Sequence, residues 1–348
     1  MLLLTARDLQ FRAVRFTVVT AGITVVMALL FLMTGLVEQF NREPYDTVEA
    51  IGAERWVVPE GVSGPFTASA TLAPDIAAGV SGPGAAPVIV ARGSLNAAGA
   101  EPAEVLVVGH GYGTLGSPGV TEGRAAGAPG EAAVDRSAGF APGDEIALGS
   151  TPLTVVGITE DTTVLAGLPV LFLGIDDARD ALFDGREIVS AVLLEGDPQA
   201  VPAGSAVLGA DEVAADALGP LENAVSSVDL IRALLWVVAA IIIGAVVYLS
   251  ALERQRDFAV LKAVGASNRS LMAGIALQAI AVAGIAAALA MGVQAIIEPV
   301  FPLRVRVPAR AFWQIPIVAV AVAVVAGLGG MRRVARSDPA EAFAGPGG

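Results

Sequence analysis

Several residue types are absent or scarce in this sequence of 348 residues, and each scarcity excludes a class of site. There is no cysteine, which excludes disulfides, thiolate metal sites and cysteine nucleophiles. His110 is the only histidine and Lys262 the only lysine, so a multi-histidine metal site cannot form. No segment matches G-x-x-x-x-G-K-[ST], the loop that cradles ATP phosphates. Any ATP-driven activity would therefore need a second polypeptide.

The remaining short motifs favour turns over catalysis. The glycine-rich "GHGYG" (109–113) continues as "TLGSPGV", which is a loop pattern and not the helix that a dinucleotide site requires. No G-x-S-x-G nucleophile elbow is present. The acidic pairs at 144–145, 160–161 and 176–177 lack the spacing of a calcium loop and are typical of solvated turns and helix caps. We expect no catalytic, cofactor-binding or metal-binding residue, and hence no enzyme.

Long apolar runs are the feature that the sequence has in excess. Apolar residues make up 55% of the chain, and the mean hydropathy is +0.70. Runs of about 20 apolar residues match the hydrocarbon thickness of a bilayer, where only a helix satisfies its own backbone. We predict a membrane protein with four transmembrane α-helices, one before and three after a large α+β extracytoplasmic domain. The predicted spans are residues 16–38, 231–251, 271–297 and 312–331.

Charge is distributed very unevenly along the chain. Residues 38–230 carry 28 acidic and 7 basic residues, whereas the rest carries 14 basic and 6 acidic residues. An acidic block of this kind argues against nucleic acid as a partner. Basic residues concentrate in the first 15 residues, in the link 252–270 and in the tail 332–348, which places these segments and both termini in the cytoplasm. The loop 298–311 opposes this rule with Arg304, Arg306 and Arg310; contact with lipid headgroups or with the acidic domain is our hypothesis for them.

The segments between and around the spans differ in their residue patterns. Residues 1–15 alternate apolar residues with arginines, which fits an amphipathic helix on the cytoplasmic leaflet. Residues 39–230 consist of short apolar strands broken by glycine and proline, with two helical stretches at 176–184 and 211–218, and Asp176 or Asp177 is expected to cap the first. The predicted strands are 55–58, 86–91, 104–109, 131–135, 144–148, 153–158 and 169–175.

Polar residues inside or beside the spans often mark function. Gln278 lies within the third span and is a candidate for an interhelical hydrogen bond or a substrate contact. Gln294 lies in the same span. Arg232 and Gln314 open the second and fourth spans, where snorkelling to the interface explains a polar side chain.

The link between the second and third spans carries more pattern than an anchor needs. Phe258, Leu261 and Val264 form an apolar stripe at helical spacing beside a charged surface. Gly265 suits a helix stop, and Ser267 is a candidate N-cap for the next helix. On charge alone, a membrane anchor followed by a turn explains the segment; the alternative is a docking surface for a cytoplasmic partner.

The order of residues in this link resembles the FtsX/MacB-like permeases, the type VII ABC transporter family. "ERQRDFAVLKAVGAS" (253–267) matches the family pattern E-R-x-R-E-[FI]-x-[VIL]-L-[KR]-A-[VIL]-G-A-[ST], except that Asp257 replaces the commoner glutamate. The tail "RRVARSDPAEAF" (332–343) resembles the family ending, and "GAERWVV" (52–58) with residues 130–158 resembles its extracytoplasmic domain. The sequence of the link is most similar to that of the DevC-like branch.

This resemblance implies a function for the whole chain. It implies a permease subunit that couples ATP hydrolysis by a separate cytoplasmic ABC ATPase, which holds ATP and magnesium, to movement of the extracytoplasmic domain, for export by mechanotransmission. It also implies a homodimer in the bacterial inner (plasma) membrane, with a periplasmic adaptor as a further candidate partner. The alternative within the family is an FtsX-type regulator of an extracytoplasmic cell-wall hydrolase. The implied ATPase-coupling residues are Glu253, Arg254, Arg256, Asp257, Phe258, Leu261, Lys262, Gly265 and Ser267.

Overall fold

The chain divides into a membrane unit and a sheet-rich domain. The computed structural model describes residues 13–69, 71–97, 101–253, 260, 267–301 and 303–336. The domain comprises Gln39–Val225, and the membrane unit comprises the residues before and after it.

Four long helices form the framework of the membrane unit: α1 (Ala13–Ile51), α5 (Glu222–Glu253), α6 (Asn268–Ile297) and α7 (Ala311–Arg336). Within the described residues, three apolar helical segments are long enough to cross a membrane, Thr17–Ile51, Ala210–Ala245 and Ile280–Val300, and α7 adds a shorter apolar stretch. The chain is thus a membrane protein with a large sheet-rich domain between its first and second long apolar helices.

The core of this unit contains both large apolar side chains and many alanines. Phe31 of α1 is fully buried and stacks on Phe312 of α7 with ring centroids 5.5 Å apart. Alanines line the facing surfaces of α6 and α7, which lets these two helices approach closely. Of the α5 side chains that the structure describes, only Ala239 and Ile243 are buried, whereas Leu234, Val237 and Ile241 are exposed in the single chain.

Within its described residues, the domain contains eleven strands and three short α-helices. The helices are α2 (Pro74–Gly79), α3 (Ile175–Phe183) and α4 (Ala210–Leu218). The strands are β1 (Arg55–Pro59), β2 (Ala86–Asn96), β3 (Ala103–His110), β4 (Glu122–Gly123), β5 (Glu131–Asp135), β6 (Glu145–Leu148), β7 (Thr151–Thr159), β8 (Thr163–Val164), β9 (Leu168–Gly174), β10 (Ala191–Leu194) and β11 (Ser205–Gly209).

Six strands close into a small barrel. β2 pairs with β3, β3 with β9, β9 with β5, β5 with β7, β7 with β6, and β6 returns to β2. Closure removes the free edges of these strands, and a barrel of this size is filled by its own side chains. Helix α3 packs against the barrel, and a Cβ on Gly109 would lie 2.6 Å from that of Ala178, so this approach requires glycine.

Alternation along the central strands separates two hydrophobic cores. In β3, Val105 and Val107 face the barrel core, whereas Leu106 and Val108 face a second core. This period of two is the geometry of a strand buried on both faces. The second core contains Trp56, Phe66 and Phe172 and also receives α4 and the last turn of α1. The barrel strand β2 also pairs with β10 outside the barrel, and from there the sheet continues in the order β2-β10-β1-β11.

All seven predicted strands and both predicted helical stretches are confirmed within about two residues, the usual uncertainty of element ends, apart from β2, which runs on to Asn96. The sequence reading missed β4, β8, β10 and β11. The predicted cap of α3 is wrong: Gly174 occupies the N-cap without a side-chain hydrogen bond, and Asp176 and Asp177 lie in the first turn. The "GHGYG" segment is confirmed as strand end and turn.

His110 ends β3 and is fully buried. Its Nδ1 lies 2.8 Å from the carbonyl oxygen of Gly111, whereas Nε2 contacts no hydrogen-bond partner among the described residues. A Cβ on Gly116 would lie 2.9 Å from that of His110, which shows how tightly the next turn covers the ring. Burial lowers the pKa of His110, because a charged ring would lose its hydration.

This burial predicts a pH dependence of domain stability. A lowered folded-state pKa means that the unfolded chain takes up a proton at a higher pH than the folded chain. The stability is therefore fully present above the unfolded pKa of about 6.5 and declines as the pH falls below it. We expect the melting temperature reported by Trp56 fluorescence, in a Trp236→Phe/Trp313→Phe background, to fall between about pH 7.5 and 5.5. His110→Leu should abolish that fall; an unchanged pH profile in this variant would contradict the assignment.

Candidate functional site

The predicted coupling segment is described at its two ends and at Val260. Helix α5 ends at Glu253, and Ser267 is exposed directly before the first residue of α6. Val260 is helical and 60% exposed. The predicted residues Arg254, Arg256, Asp257, Phe258, Leu261, Lys262 and Gly265 lie outside the described residues. Their role in an ATPase interface stays a prediction.

Helix α1 continues without interruption from the membrane unit into the domain. It has 39 residues, and the two units divide within it, between Glu38 and Gln39. The predicted span 16–38 is therefore only the first part of this helix. Pro44 lies inside the helix and lacks the N–H that would donate to the preceding turn, yet the helix runs on to Ile51. Burial of Val48 and Ile51 in the second domain core stabilises this last part.

Two buried polar side chains fasten the end of α1 to the domain. The Thr47 hydroxyl donates to the carbonyl oxygen of Thr163 over 2.6 Å. The Glu43 carboxylate accepts from the backbone N–H of Gly167 over 2.7 Å. Thr47 and Glu43 are both almost completely buried, where an unmade hydrogen bond costs about 1–3 kcal/mol. We call these two contacts the α1 clamp.

Both hydrogen bonds of the clamp are made to a short hairpin formed by β8 and β9. Its tip, Leu165 to Gly167, has positive φ at all three residues, and at 96° Gly167 adopts the value least accessible to other residues. The positive φ of Leu165 and Ala166 is strained backbone that the surroundings must hold in place. The backbone N–H of Val170 donates to the carbonyl of Thr162, which ties the base of the hairpin together.

Asp135 fixes this hairpin to the barrel. It is fully buried at the end of β5, and its Oδ2 accepts from the backbone N–H of Thr162 over 2.9 Å. Its Oδ1 accepts from both the backbone N–H and the hydroxyl of Ser137. Both oxygens of this buried carboxylate therefore have hydrogen-bond donors, as a buried polar group requires. The barrel, the hairpin and α1 are thus joined through consecutive hydrogen bonds at Asp135, Thr162, Thr163 and Thr47.

Sequence reasoning did not find the clamp. Thr47 and Glu43 were assigned to the start of the domain, and nothing in their spacing identifies partners more than 100 residues away. The available signal was the apolar pair Val48 and Ile51, which lies at helical spacing about three turns beyond the predicted first span. Pro44 obscured that signal, because proline normally ends a helix.

The loop before α7 packs against α1 within the membrane unit. A Cβ on Gly35 would lie 2.5 Å from the side chain of Val305, so the loop requires glycine at this position. The backbone N–H of Arg306 donates to the carbonyl of Gly35 over 3.3 Å. Arg310 forms an ion pair with Glu38 over 2.6 Å. Arg310, one of the three arginines that oppose the orientation rule, therefore has an ion-pair partner on α1.

The polar residues of the spans fall into three situations. Gln294 is buried and donates to Glu298 one turn later on the same segment. The side chain of Gln278 lies outside the described residues, so its predicted contact stays a prediction. Arg232 and Gln314, interpreted separately from the sequence, line one cavity together. Among the described residues, no group of three or more acidic or histidine side chains is arranged to hold a metal ion.

Comparison with known proteins places this arrangement in a family. Residues 230–339 match the family model described as FtsX-like permease C-terminal. The chain is 37% identical over 350 residues to a protein of Mycobacterium bovis named Uncharacterized ABC transporter permease Mb2592, covering 99% of this chain and all of that one. It is 36% identical over 349 residues to Uncharacterized ABC transporter permease Rv0072 of Mycobacterium tuberculosis, with the same coverage.

Two solved structures are also similar. The periplasmic region of MacB from Actinobacillus actinomycetemcomitans is 12% identical with a TM-score of 0.33, covering 47% of this chain and 91% of that chain. The extracellular domain of the noncanonic ABC-type transporter YknZ from Gram-positive bacteria is 14% identical with a TM-score of 0.29, covering 49% and 92%. On its full-length similarity to the mycobacterial proteins, this chain belongs to the FtsX/MacB-like family of ABC transporter permeases.

Proposed function

We propose that the chain is the membrane subunit through which a separate cytoplasmic ATPase moves an extracytoplasmic domain. The family membership supports an ATPase partner, because the sequence has no phosphate-binding loop of its own. ATP and magnesium would be held by that partner, and this chain would contribute no cofactor site. The outcome would be export by mechanotransmission.

The observation that carries this proposal is the α1 clamp. A continuous helix whose last turns are buried in the domain and hydrogen-bonded to its hairpin transmits displacement better than a flexible linker does. ATP-driven closure of the ATPase would press on the link 252–270 and shift α5 and α6. Because α1, α6 and α7 share one core, the shift would reach α1 and then the domain.

We also propose that the working unit contains two copies of the chain, with both termini in the cytoplasm of a bacterial plasma membrane. The exposed apolar surface of α5 supports a second copy, since its residues Leu234, Val237, Val238 and Ile241 have little cover within one chain. The basic residues of the link and the tail support the orientation.

The ATPase interface is tested by affinity purification from native membranes in mild detergent, followed by mass spectrometry. The native chain should retain a P-loop ATPase, and Glu253→Ala/Arg256→Ala/Phe258→Ala should lose it, because the link would form the interface. The matched control is Glu104→Ala/Arg92→Ala/Val201→Ala, which removes one acidic, one basic and one apolar residue exposed on the domain. Absence of an ATPase from the native sample, under conditions that keep a known ABC complex intact, would refute the proposal.

The clamp is tested with Thr47→Val, which keeps the shape of the side chain and removes the hydroxyl. The loss should lower the free energy of unfolding of the domain by about 1–2 kcal/mol. In the complex with the ATPase, hydrogen exchange of residues 160–170 should respond to a non-hydrolysable ATP analogue in the native chain and less in this variant. Thr121→Val is the matched control, since the Thr121 hydroxyl also donates to a strand carbonyl, that of Ile158 in β7. An equal response in all three proteins would contradict transmission through the clamp.

A further inference from the structure

A cavity of about 620 Å³ lies in the membrane unit between α1, α5 and α7. Its lining residues Thr34, Asp229 and Arg232 lie close in sequence to the points where the chain enters and leaves the domain. Its polar lining consists of Thr34, Asp229, Arg232 and Gln314. Trp236, Ile315 and Val318 supply the apolar side. A cavity with a polar end and an apolar side, between membrane-spanning helices, has the chemistry of an amphiphile site.

The charges in the cavity identify the type of polar headgroup that fits it. Arg232 and Asp229 lie one turn apart on α5 and form an ion pair over 2.7 Å between Nη2 and Oδ1. The side chains keep 33% and 44% of their surface exposed, so each retains groups for a further partner. Arg232 has further N–H donors, and Asp229 has a second carboxylate oxygen. One cation and one anion side by side are complementary to a zwitterion. A purely anionic headgroup would be repelled by the negative charge of Asp229.

We propose that this cavity binds a zwitterionic phospholipid with a primary amine headgroup, of the phosphatidylethanolamine type. The phosphate would accept hydrogen bonds from Arg232 and Gln314, and the ammonium group would donate to Asp229. Two carbon atoms separate phosphate and ammonium in such a lipid, which suits two charges that are themselves neighbours on one helix face. A choline headgroup has the same charges but no N–H to donate to Asp229.

The apolar side of the site matches the acyl part of the lipid. Val318 of α7 is 42% exposed, and it lines the cavity together with Ile315 one turn earlier. The Trp236 indole has the amphipathic shape that is enriched where membrane and water meet. The site does not depend on the proposed ATPase coupling, because headgroup and acyl contacts are made by this chain alone.

The site is tested by native mass spectrometry of the purified full-length chain after exchange into detergent with phosphatidylethanolamine, phosphatidylcholine or phosphatidylglycerol at equal concentration. The native chain should retain one phosphatidylethanolamine per chain more strongly than either other lipid. Asp229→Asn/Arg232→Gln should lower this retention at least about fivefold. Asp176→Asn/Arg179→Gln is the matched control, because it removes an ion pair of the same spacing from α3 in the domain, and should retain the lipid.

Gln314→Leu introduces no charge and keeps the test decisive if the double variant fails to fold. It should lower retention of phosphatidylethanolamine while the melting temperature is maintained. Equal retention of the three lipids by the native chain would overturn the proposal. Unchanged retention in both cavity variants would also overturn it. The same holds if the double variant alters only the association of two copies, because the cavity would then be covered by a second chain.

Discussion

The structure depends on one constraint above all: helix α1 has to satisfy two environments with a single uninterrupted backbone. Its first part packs Ile23, Met27 and Phe31 into the core of the membrane unit. Its last part buries Val48 and Ile51 in the domain and adds the hydrogen bonds of Thr47 and Glu43. Without these contacts, nothing in local propensity would carry a helix past Pro44. The helix end is therefore stabilised by these contacts within the domain.

The rigidity of the domain follows from packing and buried polar contacts, since the chain has no cysteine for a disulfide. Closure of six strands leaves the barrel without free edges, and both faces of β3 and β9 are covered by apolar side chains. Asp135 then links the barrel to the β8–β9 hairpin, the element that the clamp grips. A displacement of α1 would thus act on a stiff body, which is what mechanical coupling requires.

Much of this architecture is predictable from sequence, and the elements that are not predictable have identifiable physical reasons. Strands with clear alternation or a long apolar run, such as β3 and β9, were found because side-chain period reports burial directly. β10 and β11 were missed because they are short and the second lies at the sheet edge. The clamp and the cavity join residues distant along the chain, so no local pattern encodes them. The coupling link was recognised from the order of its residues, which is family information and not geometry.

The most direct test of the account is a distance measured between the domain and the membrane unit of one chain. Because the chain has no native cysteine, Val201→Cys and Val300→Cys, both at exposed positions, would carry the only spin labels. The labelled chain is diluted with unlabelled chain in the complex with its ATPase. Double electron–electron resonance then compares the distance between the two labels in the nucleotide-free and ATP-trapped states. The account predicts that the distance distribution shifts on ATP trapping. An identical distribution in both states, while the bound ATPase hydrolyses ATP, would contradict it.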